Sequence, residues 1–171
     1  MLLTAGLLVP GSALAATDRQ AGDHDRLSRQ DREWMQSSAE GDLFEAAGGR
    51  IAVTHSSNPA VQRYGRRLTK DHSKSYAEMR RLGAEEHVAI PTSPSAFQRA
   101  VLGLFRSLRG HDFDCVYLND EIGDHVGDIL ETTKEVKQGT DRDVREEAAK
   151  ELPVLRTHLR IGTETRAKVS C

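Results

Sequence analysis

Four long stretches of this chain set small, apolar and occasional polar residues at alternating steps of three and four, and no stretch alternates with a period of two. That pattern confines the fold to helices, because steps near 3.6 line one face of a helix whereas a half-buried strand needs a period of two. The first stripe starts from Asp31 and runs Trp34, Ser38, Gly41, Glu45, Gly48, Ala52, His55. Its small residues allow another helix to approach closely. It stops at SSNP, residues 56–59, where Asn58 can cap the next helix and Pro59 can take its first position.

The second stripe, from Pro59 to about His87, is Val61, Gly65, Leu68, His72, Tyr76 (or Ser75), Met79 and Leu82 or Gly83. VAIPTSP, residues 88–94, ends it through Pro91 and Pro94. A shorter apolar helix is expected over 95–109 with Phe97, Val101, Leu104, Phe105 and Leu108, followed by a break at 109–112. A third long helix runs from Phe113 to Lys137 with Leu118, Ile122, His125 and Ile129 inward. Gly139 closes it. Thr140 or Asp141 then caps a last helix reaching about Ala167, with Leu152, Leu155, His158 or Leu159, and Gly162 inward, and with a kink expected at Pro153.

The result is an all-α domain over 31–168: two long helical hairpins joined by a connector, 88–112, that carries one short extra helix. A four-helix bundle with one long crossover, the ferritin-like connectivity, is the expected fold; an up-down bundle with an added helix is the alternative. Aromatic content of 5% against 29% charged residues suits a small aliphatic core with a heavily solvated exterior. A net charge of -2 supplies no field for recruiting nucleic acid, and no basic stripe appears. The charged run from Asp141 to Glu151 reads as a solvated helix face.

The N-terminus, MLLTAGLLVPGSALAATDRQ, has a short apolar run and a small-x-small Ala13-Leu14-Ala15 step, as in a secretory signal cleaved near Ala15 or Ala16, though no Lys or Arg precedes the run. Residues 1–16 are read as that signal and 17–30 as a polar tether, which makes the protein exported, periplasmic or otherwise outside the cytoplasm. No other segment is long and apolar enough to span a bilayer. Two readings of Cys115 and Cys171 stand side by side: a disulfide, or a free buried Cys115 with a mobile Cys171.

Register gives the polar residues of the stripes a common depth. Residues equally far from a hairpin turn lie side by side, so Glu45 falls within a turn of His72, and His125 within a turn of His158. His72 and His125 each lie 14 residues from their turns, or about 21 Å along a helix. Glu45, His72, His125 and His158 are therefore the candidate metal ligands, one per long helix; Glu121 and Asp71 are second choices. An unpaired buried carboxylate costs several kcal/mol. One metal ion would satisfy all four groups, a hydrogen-bond network in which Glu45 holds protonated histidines would satisfy some, and positions at the core's edge would need neither. His24, His55, His87 and His111 default to surface positions.

The blocks GDLFEAAGGRIAV, NPAVQRYGRRLTKDHS, FDCVYLNDEIGDH and ELPVLRTHL, in this order and spacing, resemble the DUF4142 family of exported bacterial proteins over nearly all of residues 31–166. The resemblance implies a ferritin-like bundle and export. It marks Glu45, Asp71-His72, Phe113-Asp114 with Tyr117, His125 and Leu152-Pro153 with His158 as signature positions, and it implies no reaction. EAAGG departs from the second Glu and larger apolar residues more usual in the family.

Neither His125 nor His158 stands in a Glu-x-x-His step, so a carboxylate-bridged di-iron centre is disfavoured. Three nitrogens and one oxygen suit a mononuclear zinc, copper, iron or manganese site, for redox chemistry or metal handling. The competing reading is a non-catalytic envelope stress or interaction module with a structural His/Glu network. The sequence is compatible with a homo-oligomer and leaves enzymatic activity open. Ser73 beside His72 makes no nucleophilic triad, because neighbouring helical residues point about 100° apart.

Overall fold

The computed structural model describes residues 27–171, so the expected signal and most of the tether lie outside the described residues. Five helices follow one another: α1 (Arg29–His55), α2 (Pro59–Glu85), α3 (Ala96–Ser107), α4 (Gly110–Gln138) and α5 (Arg142–Val169). The turns form for local reasons. Asn58 Oδ1 accepts from the Ala60 amide at 2.9 Å, with Pro59 next to it, and Asp141 Oδ1 accepts from Asp143 and Val144 at 2.9 and 3.0 Å. α1 begins two residues before Asp31, because Ser28 and Asp31 close a capping box that apolar periodicity does not register. α4 also begins early, at Gly110, whose φ of 58° suits glycine and turns the chain straight out of α3. α5 continues through Pro153.

α1 pairs with α2 and α4 with α5 as antiparallel hairpins. The end of α2 lies beside the start of α1, where Gln36 Nε2 donates to the Ala89 carbonyl at 3.1 Å. The start of α4 lies at the other end, where Phe113 meets the His55 ring with centroids 5.7 Å apart. The connector therefore travels the length of the bundle. Among the described residues, no helix is long and apolar enough to cross a membrane. α3 packs through Leu102 and Phe105, while Phe97 and Leu104, two of its apolar residues, are 78% and 49% exposed. The helix covers α1 along one narrow face, and which face that is depends on the crossover's path.

Close approach within the first hairpin is set by Gly49 and Gly65. A Cβ on Gly49 would lie 2.4 Å from the Gly65 carbonyl oxygen, and one on Gly65 would lie 2.7 Å from that of Gly49. Gly48, the glycine of the expected stripe, faces α4 and leaves room for the Glu121 carboxylate, 3.0 Å from where its Cβ would be. EAAGG thus serves two neighbours with two adjacent glycines.

Asp31 joins the bundle's far end. Its carboxylate accepts from the Thr140 amide at 2.9 Å and the Thr140 hydroxyl at 2.6 Å. Burial alone would raise its pKa, but these bonds, with those at Ser28, hold it well below the usual carboxylate range. Asp31→Ala strands the α4–α5 turn's donors, so a loss of about 2–3 kcal/mol is expected in denaturant melts at neutral pH.

Cys115 and Cys171 are bonded to each other, with Cα atoms 5.4 Å apart and a sequence separation of 56. Of the two readings, the disulfide is the one seen. Ser170, at φ 63°, turns the chain back after α5. For a loop of this size Cys115→Ser should lower stability by roughly 2–4 kcal/mol, measured as a thermal shift that reductant reproduces in the parent.

The core is split. Phe44, Tyr64, Leu68, Phe105, Phe113, Tyr117 and Leu118 fill one end, and Trp34, Met35, Met79, Leu82 and Val144 fill the other. Between them lies a layer of histidines and carboxylates.

Candidate metal centre

Each long helix contributes to this layer from its inward stripe. His72, His125 and His158 come together, with ring centroids 5.0–5.7 Å apart, and one nitrogen of each lies within 4.8 Å of one of each other. All three are buried. One nitrogen of every ring is held by oxygen. His72 Nδ1 meets Asp42 Oδ1 at 2.8 Å and Glu45 Oε2 at 3.0 Å. His125 Nδ1 donates to the Glu121 carbonyl at 2.8 Å and lies 3.1 Å from Glu45 Oε1. His158 Nε2 lies 3.0 Å from Asp71 Oδ2. The opposite nitrogens, His72 Nε2, His125 Nε2 and His158 Nδ1, are buried without a hydrogen-bond partner among protein atoms.

Because a carbonyl only accepts, His125 carries its proton on Nδ1 and keeps a lone pair on Nε2. Burial pushes His72 and His158 down to about 4 and His125 to about 3; crowding by His72 adds to the last two, and Asp71 partly opposes it at His72 and His158. The imidazoles are therefore neutral at pH 7, the form that binds metal. This disfavours protonated histidines held by Glu45.

The sequence candidates are placed as follows. Glu45, 1% exposed, sits on the outer side of His72 and His125, against their Nδ1 atoms. Asp71 holds His158 and is itself pulled below its usual pKa by hydrogen bonds from His158 and Arg67, which outweigh its burial. Glu121 is fully buried, and neither side-chain oxygen has a partner. His55 is half-buried, and His87 and His111 are exposed. His111 approaches Cys115, but both sulfurs there are committed to the disulfide. His24 lies outside the described residues.

Four further acids join the layer that sequence reasoning did not single out: Asp42, Asp124, Asp128 and Glu151. Desolvation and then neighbouring acids push Asp42, Glu45, Glu121 and Asp128 well above their usual range, Asp124 to about 6 and Glu151 to about 8. Glu151 corrects the expected solvated face of 141–151. It turns inward to accept from Ser75 at 2.7 Å and Ser38 at 3.2 Å, and Glu147 is buried as well. The signal was present in the spacing, since 42/45, 121/124/125/128 and 151/158 share helix faces.

A cavity of about 400 Å³ reaches the layer. Its walls pass from buried His72, His158 and Glu45 to Lys74, Arg81 and Lys150 at the surface. Small ions and molecules can reach two of the three histidines by this route.

The family described as a domain of unknown function, DUF4142, matches residues 16–164. No curated protein and no solved structure matches the chain.

Proposed function

This chain belongs to the DUF4142 family, and we propose that it is an exported metal-binding bundle whose centre is His72, His125 and His158. The carrying observation is the pairing within each ring, one nitrogen anchored to oxygen and the other buried without a partner. Metal-binding imidazoles have this form, with an outer carboxylate or carbonyl fixing tautomer and orientation. Asp42, Asp71 and the Glu121 carbonyl are the outer partners, and Glu45 stands beside two of the rings. The nitrogen set suits zinc, copper, iron or manganese. A bound ion would supply a Lewis-acidic or redox-active centre at the cavity's inner end. The signal read in residues 1–16 supports export, and the crossover topology supports the ferritin-like expectation.

Elemental analysis of the mature chain, made without a His tag, tests this. About one equivalent of metal should co-purify or be taken up, and His125→Ala or His158→Ala should remove it. A metal-free protein whose melting point does not respond to zinc, copper, iron or manganese would leave the layer as the structural network of an interaction module.

A further inference from the structure

We infer that the layer holds a second cation position made of oxygen ligands, in which the carboxylates of Glu45, Asp124 and Asp128, with Glu121 beside them, receive a hard divalent cation such as Mn²⁺ or Ca²⁺. This goes beyond the histidine centre and does not depend on its being filled.

Oxygens of Glu45, Asp124 and Asp128 all lie within 4.8 Å of one another, and on the other side of Glu45 so do ligand atoms of Glu45, Glu121 and His125. The three α4 acids occupy 121, 124 and 128, steps of three and four that put like charges on one stripe of a helix, which is unfavourable by itself. The stripe faces Glu45 across the α1–α4 contact. Acid clusters at a surface are ordinary, but this one is different in kind. Glu121 is 0% exposed and both its oxygens lack a partner; Asp124 Oδ2 lacks one too. Among the described residues no Lys or Arg forms an ion pair with Glu45, Glu121, Asp124 or Asp128.

Carboxylates this close, Glu45 and Glu121 buried and Asp124 and Asp128 half-buried, repel one another, and desolvation penalises their charge, so the group must either keep protons or take up a cation. An all-oxygen set favours manganese, calcium or magnesium, whereas zinc and copper prefer the nitrogen set alongside. Access is provided by the cavity, which Glu45 and Asp128 both line. Glu45 belongs to this group and also touches two of the imidazoles, so it links the two positions.

The test uses Mn²⁺ as the probe, in equilibrium dialysis of the full mature chain at about 1 mM metal, with zinc measured in parallel. His72→Ala/His158→Ala, which removes the nitrogen centre, should still bind one Mn²⁺ per chain. Asp124→Asn/Asp128→Asn should weaken Mn²⁺ by at least about tenfold while zinc uptake stays at the parent level. If the histidine variant loses its helical circular dichroism, the zinc-loaded parent replaces it and should bind one Mn²⁺ in addition. Absence of Mn²⁺ binding in whichever of these is folded, or parental affinity in the aspartate variant, overturns the inference. Zinc that fails to bind the parent sinks the histidine reading alone.

Discussion

His125→Leu is expected to leave the metal-free protein at least as stable as its parent while abolishing the stabilisation that zinc gives the parent. The parent's layer holds three imidazoles and several carboxylates in the bundle's interior, and the free nitrogens offer the fold nothing in return for their desolvation. Replacing such groups with an apolar side chain of similar size is often neutral or stabilising by about 1–4 kcal/mol. The cost is His125 Nδ1, whose partners are the Glu121 carbonyl of its own helix and Glu45 Oε1 at 3.1 Å; Glu45 keeps its contact with His72 through the other oxygen. Zinc at 1,000 times its dissociation constant adds about 4 kcal/mol to the folded state. For a domain of this size that is roughly 10 °C. A binding site shows this opposition between stability and ligand; a structural network does not. Calorimetry of both proteins with and without zinc decides it. A variant that loses about 3 kcal/mol without metal points to the hydrogen-bond network instead.

The layer could be foreseen because helical rise is constant and both hairpin turns are short. Counting residues from SSNP placed Glu45 within a turn of His72, and the two lie 3.0 Å apart. Counting from Gly139 placed His125 near His158, and the rings are 5.3 Å apart. Counting along helices gives depth, but it does not give which side of a residue faces which neighbour. Glu45 thus shares the histidines' level yet lies behind two of them. Asp42, Asp124, Asp128 and Glu151 were passed over because an acid on a charged helix is normally solvated. What turns them inward is the packing of α1 against α4 and of α2 against α5, a relation between hairpins that no single helix encodes. The same holds for α3, whose apolar residues occupy more than one face, so that only the crossover's path selects Leu102 and Phe105 over Phe97 and Leu104.

The metal-free protein should lose stability as pH rises from about 6.5 to about 8, the reverse of the usual acid loss. The histidines fold with pKa values of about 3 to 4, against about 6.5 unfolded. Between those values the unfolded chain binds protons that the folded chain does not, so their contribution rises with pH up to about 6.5 and then is constant. The carboxylates act with the opposite sign. Asp124, folded at about 6, and Glu151, folded at about 8, keep protons that the unfolded chain has released by about pH 4–5. Their contribution is complete at low pH and is lost as pH rises through the folded values, with Asp42, Glu45, Glu121 and Asp128 shifted the same way. Below 6.5 the two sets oppose each other; above it the carboxylates act alone. Each proton that the fold holds and the unfolded chain has lost contributes about 1.4 kcal/mol per pH unit to the slope. A bound divalent cation replaces those protons, so the decline between pH 6.5 and 8 should flatten in saturating Zn²⁺ and Mn²⁺. Melting curves at pH 5, 6.5 and 8, with and without the ions, test the sign directly. A metal-free protein that grows more stable between pH 6.5 and 8 would mean that the acids are already ionised in the fold, and that the layer meets its charge by some means other than protons or metal.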